Sequence, residues 1–468
     1  MENSELQKKL AYKNTNIYEK SSEEDIKEMF DFCEGYKTFL DASKTERECV
    51  ETATKMAKDS GFRNMDEMDT LKEGDKVYKI NRDKNIFLMV VGSDDITDGF
   101  HLVGSHIDSP RLDLKPNPLF ESEEIAMLKT HYYGGIKKYQ WTTVPFAMHG
   151  VIFLADGKKV TLNIGENAGD PIFCVTDLLP HLADEQVKKP AHKAIEGEKL
   201  NVFVGSIPVK DEDMKEKVKF SILKYLYETY GMTEEDFLSA EIEIVPAGSA
   251  RDAGFDRSVV AAYGQDDRVC AYCALDAILH TEGNAKTAVC ILVDKEETGS
   301  AGNTGFQSRF FELSMAQTFA KLTGQCDIVK LNEIFARSKC LSGDVSAAVD
   351  PNYSDVFEKT NSAFFNHGVA VNKYTGARGK SGTSDANAEF LFQIRSMFSQ
   401  NDVAWQICEL GKVDGGGGGT IAQYVANHNI DTLDCGTAVL SMHAPMELAS
   451  KADIFMTRKA YYSFYKMK

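Results

Sequence analysis

The sequence predicts an α/β protein in which a β-rich domain is inserted into a larger α/β domain. Helix and strand patterns alternate after Pro246, as they do in sheets covered by helices. Between about residues 110 and 246 strand patterns dominate. At 468 residues the chain also exceeds the usual size of one domain. We therefore predict one domain from residues 1–109 and 247–468, and a second from residues 110–246.

The first 109 residues are predicted to form two helices followed by two strands. Apolar positions recur with helical spacing from Ile26 through Phe39, and Ser21-Ser-Glu-Glu24 before them has the form of a capping box. The second helix is expected over residues 46–60. Strand-like segments cover 85–91 and 99–104.

The predicted insertion contains a hairpin. Alternating apolar runs over 150–154 and 159–164 flank an Asp-Gly pair, which is a strong hairpin signal. Further strands are expected over 199–204 and 240–245, with a long helical stretch over 211–230 between them.

After Pro246 the predicted elements alternate. Helices are expected over 269–280, 307–322, 384–397 and 420–428, and strands over 287–293, 338–342, 404–409 and 435–441. The run Gly415–Gly419 precedes the last of these helices. It is either a mobile loop or a set of backbone N–H donors at the helix start. It lacks the Lys-Ser/Thr of a phosphate-binding loop, so we exclude nucleotide binding.

Composition narrows the class of protein. Hydrophobic residues at 43% and charged residues at 26% are typical of globular proteins. The net charge of −18 argues against nucleic acid or an anionic membrane as a partner, because both require basic surface. We see neither a signal peptide nor an apolar run long enough to span a membrane, and therefore expect a cytoplasmic protein. The ten cysteines are too few for a disulfide framework.

Five residues that can bind metal each follow a predicted strand: His106, Asp266, Glu297, Asp344 and His443. In α/β sheets, ligands gather at the carboxyl ends of strands. Two imidazoles and three carboxylates, with one spare glutamate beside Glu297, are what two hydrolytic zinc ions and a general base require.

Each candidate also has an ordinary structural interpretation. Asp266 could cap a helix, His106 could be a structural histidine, and Glu296-Glu297 could form a solvated acidic turn. However, strand spacing points His106 and Asp108 to one side, so that Asp108 can orient the imidazole. Two adjacent glutamates at a buried strand end repel each other unless a cation is present. One can bind the metal while the other takes a proton from water.

Several motifs resemble the aspartyl aminopeptidase family of two-zinc exopeptidases. They follow the family order from about residue 35 to the C-terminus: Gly104-Ser-His-Ile-Asp-Ser-Pro-Arg111, Tyr133-Gly-Gly-Ile136, Leu179-Pro-His-Leu182, Asp294-Lys-Glu-Glu-Thr-Gly-Ser300, Asp350-Pro-Asn-Tyr353 and Ser441-Met-His-Ala-Pro-Met-Glu447. The resemblance implies a three-layer α/β/α zinc-peptidase domain carrying an inserted β-rich dimerisation domain. It further implies a homo-oligomer, a dodecamer built from dimers.

The resemblance also assigns the metal ligands. It implies that His106 and Asp344 hold one zinc ion and that Glu297 and His443 hold the other. Asp266 would bridge both ions. The expected cofactor is therefore two divalent metal ions per subunit, with Zn2+ as the metal.

The activity implied is removal of the N-terminal residue from peptides with a free N-terminus. Glu296 would be the general base, and Asp108 would support the first zinc-binding histidine. His181 matches a family histidine that reaches into the active site of a neighbouring subunit. We expect His181, Tyr374 and Gly419 to contact the substrate.

The preferred N-terminal residue stays open between acidic and neutral. Family members that prefer acidic residues carry histidines where this chain has Val345-Ser-Ala-Ala-Val-Asp350, and a lysine where it has Gly368. An acidic side chain requires a cation to offset its desolvation, so we lean towards a neutral or broad preference. Lys373, Arg378 and Lys380 could compensate. The alternatives are a related two-zinc deacylase or carboxypeptidase, or a non-catalytic assembly protein.

Overall fold

The computed structural model describes residues 3–468. The helices are α1 Asn3–Leu10, α2 Glu23–Asp41, α3 Glu46–Asp59, α4 Asp184–Val187, α5 Ala191–Ala194, α6 Lys217–Tyr230, α7 Gln265–Leu279, α8 Phe310–Thr323, α9 Ile328–Ala336, α10 Ala388–Gln400, α11 Ala422–Ala426 and α12 Lys451–Tyr465. The strands are β1 Arg63–Asn64, β2 Lys76–Asn81, β3 Asn85–Val90, β4 Phe100–His106, β5 Arg111–Ser122, β6 Ile125–Tyr133, β7 Phe146–Phe153, β8 Lys159–Ile164, β9 Cys174–Val175, β10 Val202–Gly205, β11 Glu241–Pro246, β12 Arg251–Ala253, β13 Val259–Ala262, β14 Thr287–Val293, β15 Lys339–Ser342, β16 Ser346–Ala347, β17 Val369–Asn372, β18 Trp405–Ile407, β19 Asp431–Gly436, β20 Ala438–Leu440 and β21 Glu447–Ser450.

A nine-stranded mixed sheet forms the centre of the α/β/α part of the chain. Its strand order is β1-β2-β3-β14-β4-β15-β19-β17-β18. The four strands β14, β4, β15 and β19 are parallel to one another. Their carboxyl ends therefore lie at one edge of the sheet, where ligands usually bind.

Helices cover both faces of this sheet. Side chains of α2, α3, α7, α10 and α12 form the core on one face, and those of α8, α9 and α11 form the core on the other. Both faces are covered because the strands are apolar on both sides. In strand β14, Ala288, Cys290 and Leu292 face the first core, while Val289 and Ile291 face the second. The predicted α/β/α fold class is confirmed.

A seven-stranded antiparallel sheet is built entirely from strands between Arg111 and Pro246. Its order is β8-β7-β11-β5-β6-β10-β9. The Asp-Gly hairpin joins β7 to β8, with Phe153 opposite Lys159. Helix α6 packs on this sheet through Val218 and its neighbours. That residues 110–246 form a separate domain stays a prediction.

A third sheet has five strands in the order β12-β13-β21-β20-β16 and was not expected. Residues 435–441 were predicted to be one strand, but they divide between two sheets. Strand β19 ends in the nine-stranded sheet at Gly436, and β20 begins in the five-stranded sheet at Ala438. Periodicity alone does not show such a change of sheet, because the apolar character continues across it.

Smaller differences concern the ends of helices. The capping box of α2 uses Ser22 and Asp25 rather than the pair Ser21 and Glu24. Helix α6 begins at Lys217, six residues after the predicted start. Helices α9 and α12 and strands β5, β6 and β17 were not predicted as separate elements. None of the helices within residues 3–468 is long and apolar enough to cross a membrane.

Candidate active site

Three adjacent parallel strands supply one half of a cluster of titratable side chains. His106 is the last residue of β4, and it pairs with Val293 at the end of β14. Glu296 and Glu297 begin a short 3-10 helix just after β14. Asp344 follows the end of β15. These residues meet because parallel neighbours end at the same edge of a sheet.

The five-stranded sheet supplies the other half. Asp266 lies at the start of α7, soon after β13, and His443 lies between β20 and β21. The sheet brings them together because β13 pairs with β21, with Ala262 opposite Glu447. His443 has a φ of +65°, in the left-handed region that a non-glycine residue seldom adopts.

The carboxylate of Asp266 lies between the two imidazoles. One of its oxygens is 3.2 Å from Nε2 of His106, and the other is 3.0 Å from Nε2 of His443. Glu297 Oε1 is 3.4 Å from the His443 nitrogen, and Asp344 Oδ1 is 3.9 Å from the His106 nitrogen. The arrangement is two imidazole–carboxylate pairs that share one carboxylate.

Asp267 is a further member of the cluster that the sequence analysis did not propose as a ligand. It is fully buried, and its carboxylate lies with His106 and Asp344 in a group whose potential ligand atoms are within 4.8 Å of one another. The hydroxyl of Ser105 donates a hydrogen bond to it. Burial holds the pKa of Asp267 well above its usual range. The adjacent Asp-Asp pair was the signal for this residue.

The electrostatics of the cluster favour bound cations. Burial holds the pKa values of Glu297 and Asp344 well above the usual range and raises that of Glu296 to about 7. Oε1 of Glu297 is buried and has no hydrogen-bond partner among residues 3–468. Buried carboxylate oxygens without a hydrogen-bond partner are costly unless a cation is present. Imidazole nitrogens and carboxylate oxygens are zinc ligands, so the donor set fits zinc.

Asp108 holds the Glu296–Glu297 turn in place. Its carboxylate accepts hydrogen bonds from the backbone N–H of Glu296 at 3.1 Å and of Glu297 at 3.2 Å. The hydroxyl of Tyr133 donates to the same carboxylate at 2.7 Å. The backbone carbonyl of Asp108 accepts from Nδ1 of His106 at 3.0 Å, which leaves Nε2 facing Asp266.

Glu447 holds the backbone of the half of the cluster that contains Asp266 and His443, as Asp108 does for the half that contains Glu296 and Glu297. Its carboxylate accepts from the backbone N–H of His443 at 2.7 Å and of Asp266 at 3.1 Å. Burial raises the pKa of Glu447 to about 8. Both Glu447 and Tyr133 lie in motifs singled out from the sequence, but their roles were not inferred. For Glu447 the available signal was the predicted ligand His443 in the same motif, whereas the motif of Tyr133 contains no predicted ligand.

A cavity of about 450 Å³ opens over the cluster. Its lining includes the predicted contact Gly419 and the apolar residues Val345, Leu410 and Met442. Tyr374 instead lines an adjoining pocket of about 390 Å³, and its hydroxyl donates to Glu409.

His181 does not reach this cavity within the chain. It lies exposed in the short 3-10 helix Pro180–Leu182, in the segment that carries the seven-stranded sheet. Six of the residues predicted to form the site make up the cluster: His106, Asp266, Glu296, Glu297, Asp344 and His443. Asp108 lies behind the cluster and Gly419 lines the cavity. Tyr374 and His181 lie outside the cavity.

A buried cluster of two imidazoles and several carboxylates at the edge of an α/β/α sheet defines the class of metal-dependent hydrolases. The family model described as aminopeptidase I zinc metalloprotease (M18) matches residues 39–465. The chain belongs to this family, and it is a zinc-dependent aminopeptidase. The resemblance inferred from the motifs is thereby confirmed.

Relatives match over nearly their whole length. A probable M18 family aminopeptidase 1 of Clostridium acetobutylicum is 53% identical over 453 residues, covering 96% of this chain and 97% of the relative. The crystal structure of an M18 aminopeptidase from Thermotoga maritima has a TM-score of 0.94 at 44% identity, covering 98% of this chain and 100% of that one. That of aminopeptidase I from C. acetobutylicum has a TM-score of 0.91 at 50% identity, with 97% and 99% covered.

Proposed function

We propose that this aminopeptidase uses two metal ions per chain and removes neutral N-terminal residues. The observation that carries the two-metal proposal is the carboxylate of Asp266, whose two oxygens each face a different imidazole. His106 and Asp344 would hold one zinc ion, Glu297 and His443 the other, and Asp266 both. When bound, a zinc pair polarises the scissile carbonyl and lowers the pKa of the attacking water.

Glu296 is the proposed general base. Its carboxylate lines the cavity, lies 3.9 Å from Nε2 of His106, and is 17% exposed. Asp108 fixes its backbone through the hydrogen bond to its N–H. Burial raises its pKa, which is the direction that strengthens a carboxylate as a proton acceptor. Glu296 takes the proton of the attacking water and passes it to the leaving amine.

The free N-terminal amine is recognised by charge. A protonated amine carries one positive charge and only donates hydrogen bonds, so it fits beside acidic side chains such as Glu296 and Glu297. A peptide with a blocked N-terminus presents neither feature. This preference separates an aminopeptidase from a carboxypeptidase or deacylase of related fold, which would recognise a carboxylate.

The cavity lining favours a neutral first residue. No lysine or arginine within residues 3–468 lines the cavity, whereas Val345, Leu410 and Met442 do. Lys373 and Lys380 both pair with Asp385, whose single negative charge offsets one of their two positive charges. Burying an unpaired carboxylate is costly, so substrates beginning with Asp or Glu are expected to react more slowly.

A panel of aminoacyl chromogenic substrates tests the proposal, with zinc content measured on the same samples. We expect two zinc ions per chain and at least ~10-fold higher kcat/KM for Leu, Met or Ala than for Asp or Glu, a difference typical of one side-chain pocket. N-acetylation should abolish hydrolysis, and C-terminal amidation should not. Faster hydrolysis of Asp and Glu substrates would contradict the neutral preference, and one zinc ion per active chain would contradict the two-metal site.

We also propose a homo-oligomer, a dodecamer built from dimers, in which His181 serves a neighbouring subunit. The mApe1 protein of S. cerevisiae, which shares the fold at 19% identity, is a dodecamer. This proposal is supported by two observations: His181 is exposed, and it is not among the residues that line the cavity of its own chain. A cytoplasmic location is supported by the ten cysteines, all of them free, because the cytoplasm keeps thiols reduced.

A further inference from the structure

The inserted sheet contacts the active site of its own chain through one turn. Strand β6 ends at Tyr133, and the residues Tyr133, Gly134 and Gly135, here called the β6 turn, pass beside the metal cluster. The hydroxyl of Tyr133 donates to Oδ2 of Asp108 at 2.7 Å. The carbonyl oxygen of Gly135 accepts from Nδ1 of His443 at 2.7 Å. The turn therefore reaches both halves of the cluster.

The middle residue of the turn lies against a third member of the cluster. Gly134 has a φ of +75°, and a Cβ atom at this position would lie 2.9 Å from Oε2 of Glu297 and 3.3 Å from Cγ of Pro110. No side chain fits there without moving Glu297. The close approach of this backbone to the carboxylate thus requires glycine.

Charged side chains, of which Arg111 and Glu243 are buried, hold the ring of Tyr133. The guanidinium of Arg111 lies 3.9 Å from the ring centre, and Arg111 is the cross-strand partner of Tyr133 in the β5–β6 pair. Arg111 in turn contacts Asp113 at 2.8 Å and Glu243 at 3.2 Å. These groups belong to the seven-stranded sheet, so the sheet sets the direction of the Tyr133 hydroxyl.

We propose that the β6 turn positions the metal centre. The inserted sheet would then have a role in the active site of its own chain. Tyr133 holds the carboxylate of Asp108, and Asp108 holds the backbone of Glu296 and Glu297. The Gly135 carbonyl keeps the hydrogen of His443 on Nδ1, so that Nε2 faces Asp266. This inference rests on the proposed metal ligands. Tyr133 acts through Asp108 and is a positioning residue.

The variant Tyr133→Phe tests the hydroxyl while keeping the ring over Arg111. Loss of a group that orients a metal ligand typically weakens metal affinity 10- to 100-fold, so we expect zinc dissociation constants to rise by at least ~10-fold. At saturating zinc, kcat should fall by a similar factor with KM within ~2-fold, because the base is misplaced while substrate binding is retained. Zinc affinity is measured by competition with a chromophoric chelator.

Tyr132→Phe is the matched control. This tyrosine is the preceding residue on the same strand, is 39% exposed, and lies on the opposite face, so its variant should keep wild-type zinc affinity and kcat. Wild-type zinc affinity and kcat in Tyr133→Phe, or equal losses in both variants, would overturn the inference.

A second pair of variants tests the glycine. Gly134→Ala places a methyl group against Glu297 and should weaken zinc binding at the site that uses this residue. Gly157, in the β7–β8 hairpin, has a similar φ of +84° but nothing within 4 Å of a Cβ atom, so Gly157→Ala controls for backbone strain alone. Unchanged zinc binding in Gly134→Ala would refute the close-approach argument.

Failure of the inference can be distinguished from failure of the metal assignment. If His443→Ala loses zinc while Tyr133→Phe and Gly134→Ala do not, the ligands stand and the positioning role is wrong. If His443→Ala retains all of its zinc, the ligand assignment itself is wrong.

Discussion

Replacing Asp108 by asparagine should disturb the metal centre without changing the shape of the side chain. One carboxylate oxygen accepts from the N–H of Glu296, and the other accepts from the N–H of Glu297 and the hydroxyl of Tyr133. An amide has only one acceptor oxygen, so in either orientation its NH2 group faces a backbone N–H donor. At least one hydrogen bond to a charged acceptor is lost.

The magnitude follows from the bonds that are lost. A hydrogen bond to a charged group contributes about 1.5–3 kcal/mol. Each ~1.4 kcal/mol is a factor of ten. If the whole loss appears as weaker zinc binding, the zinc dissociation constant rises about 10- to 150-fold. If it appears as a higher activation barrier, kcat/KM falls by the same factor. Asp108→Ala should be worse, because it leaves both backbone N–H groups and the hydroxyl without their acceptor.

The assay measures zinc dissociation constants by chelator competition and kcat/KM at saturating zinc. Asp98→Asn, an exposed substitution of the same kind, is the control. Zinc affinity and kcat/KM within ~2-fold of wild type in Asp108→Asn would mean that this carboxylate does not hold the Glu296–Glu297 turn. The same reasoning would fail if Asp108→Ala were the milder variant.

Three further predictions follow from the structure. Glu296→Gln should retain both metals and lose at least ~10²-fold in kcat, whereas Glu297→Gln should lower zinc affinity at one site; the opposite pattern would exchange the base and the ligand. His181→Ala should lower kcat by ~10²–10³ with zinc content and oligomer size unchanged. Mixing His181→Ala subunits with Glu296→Gln subunits should restore partial activity. Absence of rescue after confirmed subunit exchange would show that His181 serves its own chain or none. Burial lowers the pKa of His101 to about 3, so the fold requires a neutral imidazole and loses stability as pH falls below about 6.5. Between about pH 7 and about pH 5.5, this effect should lower the free energy of unfolding of the wild type by about 1.3 kcal/mol, and His101→Phe should lack that decrease. Denaturant titration at both pH values measures the difference. Parallel pH curves for the two proteins would contradict it.

Local sequence patterns predicted the half of the site that depends on parallel strands. Strands β14 and β15 were recognised as short apolar runs, and the residues that follow them were placed at one sheet edge by a general rule. Glu296 and Asp344 indeed each have a carboxylate oxygen 3.9 Å from Nε2 of His106 in the structure, and Glu297 lies beside His443. The α/β class and the inserted hairpin were predictable for the same reason, because the periodicity and turn signals that specify them are local.

The other half depended on strand pairing between distant parts of the chain. Asp266 and His443 meet only because β13 pairs with β21, nearly two hundred residues later in the chain. Nothing in the local pattern around His443 reveals that β20 leaves the nine-stranded sheet, or that Glu447 turns back to hold the backbone of Asp266. Register between distant strands is set by the packing of the whole domain rather than by either segment.

The sequence by itself therefore determined the kind of chemistry, since metal-binding residue types placed after strands, together with the family motifs, indicate a zinc aminopeptidase. Only the tertiary structure decided which atoms face each other. It placed the Asp266 carboxylate between two imidazoles, brought Tyr133 of the inserted sheet to Asp108, and left His181 away from the cavity of its own chain. The physical reason is that side-chain identity is encoded at single positions, whereas a distance between two atoms depends on every strand and turn that lies between them.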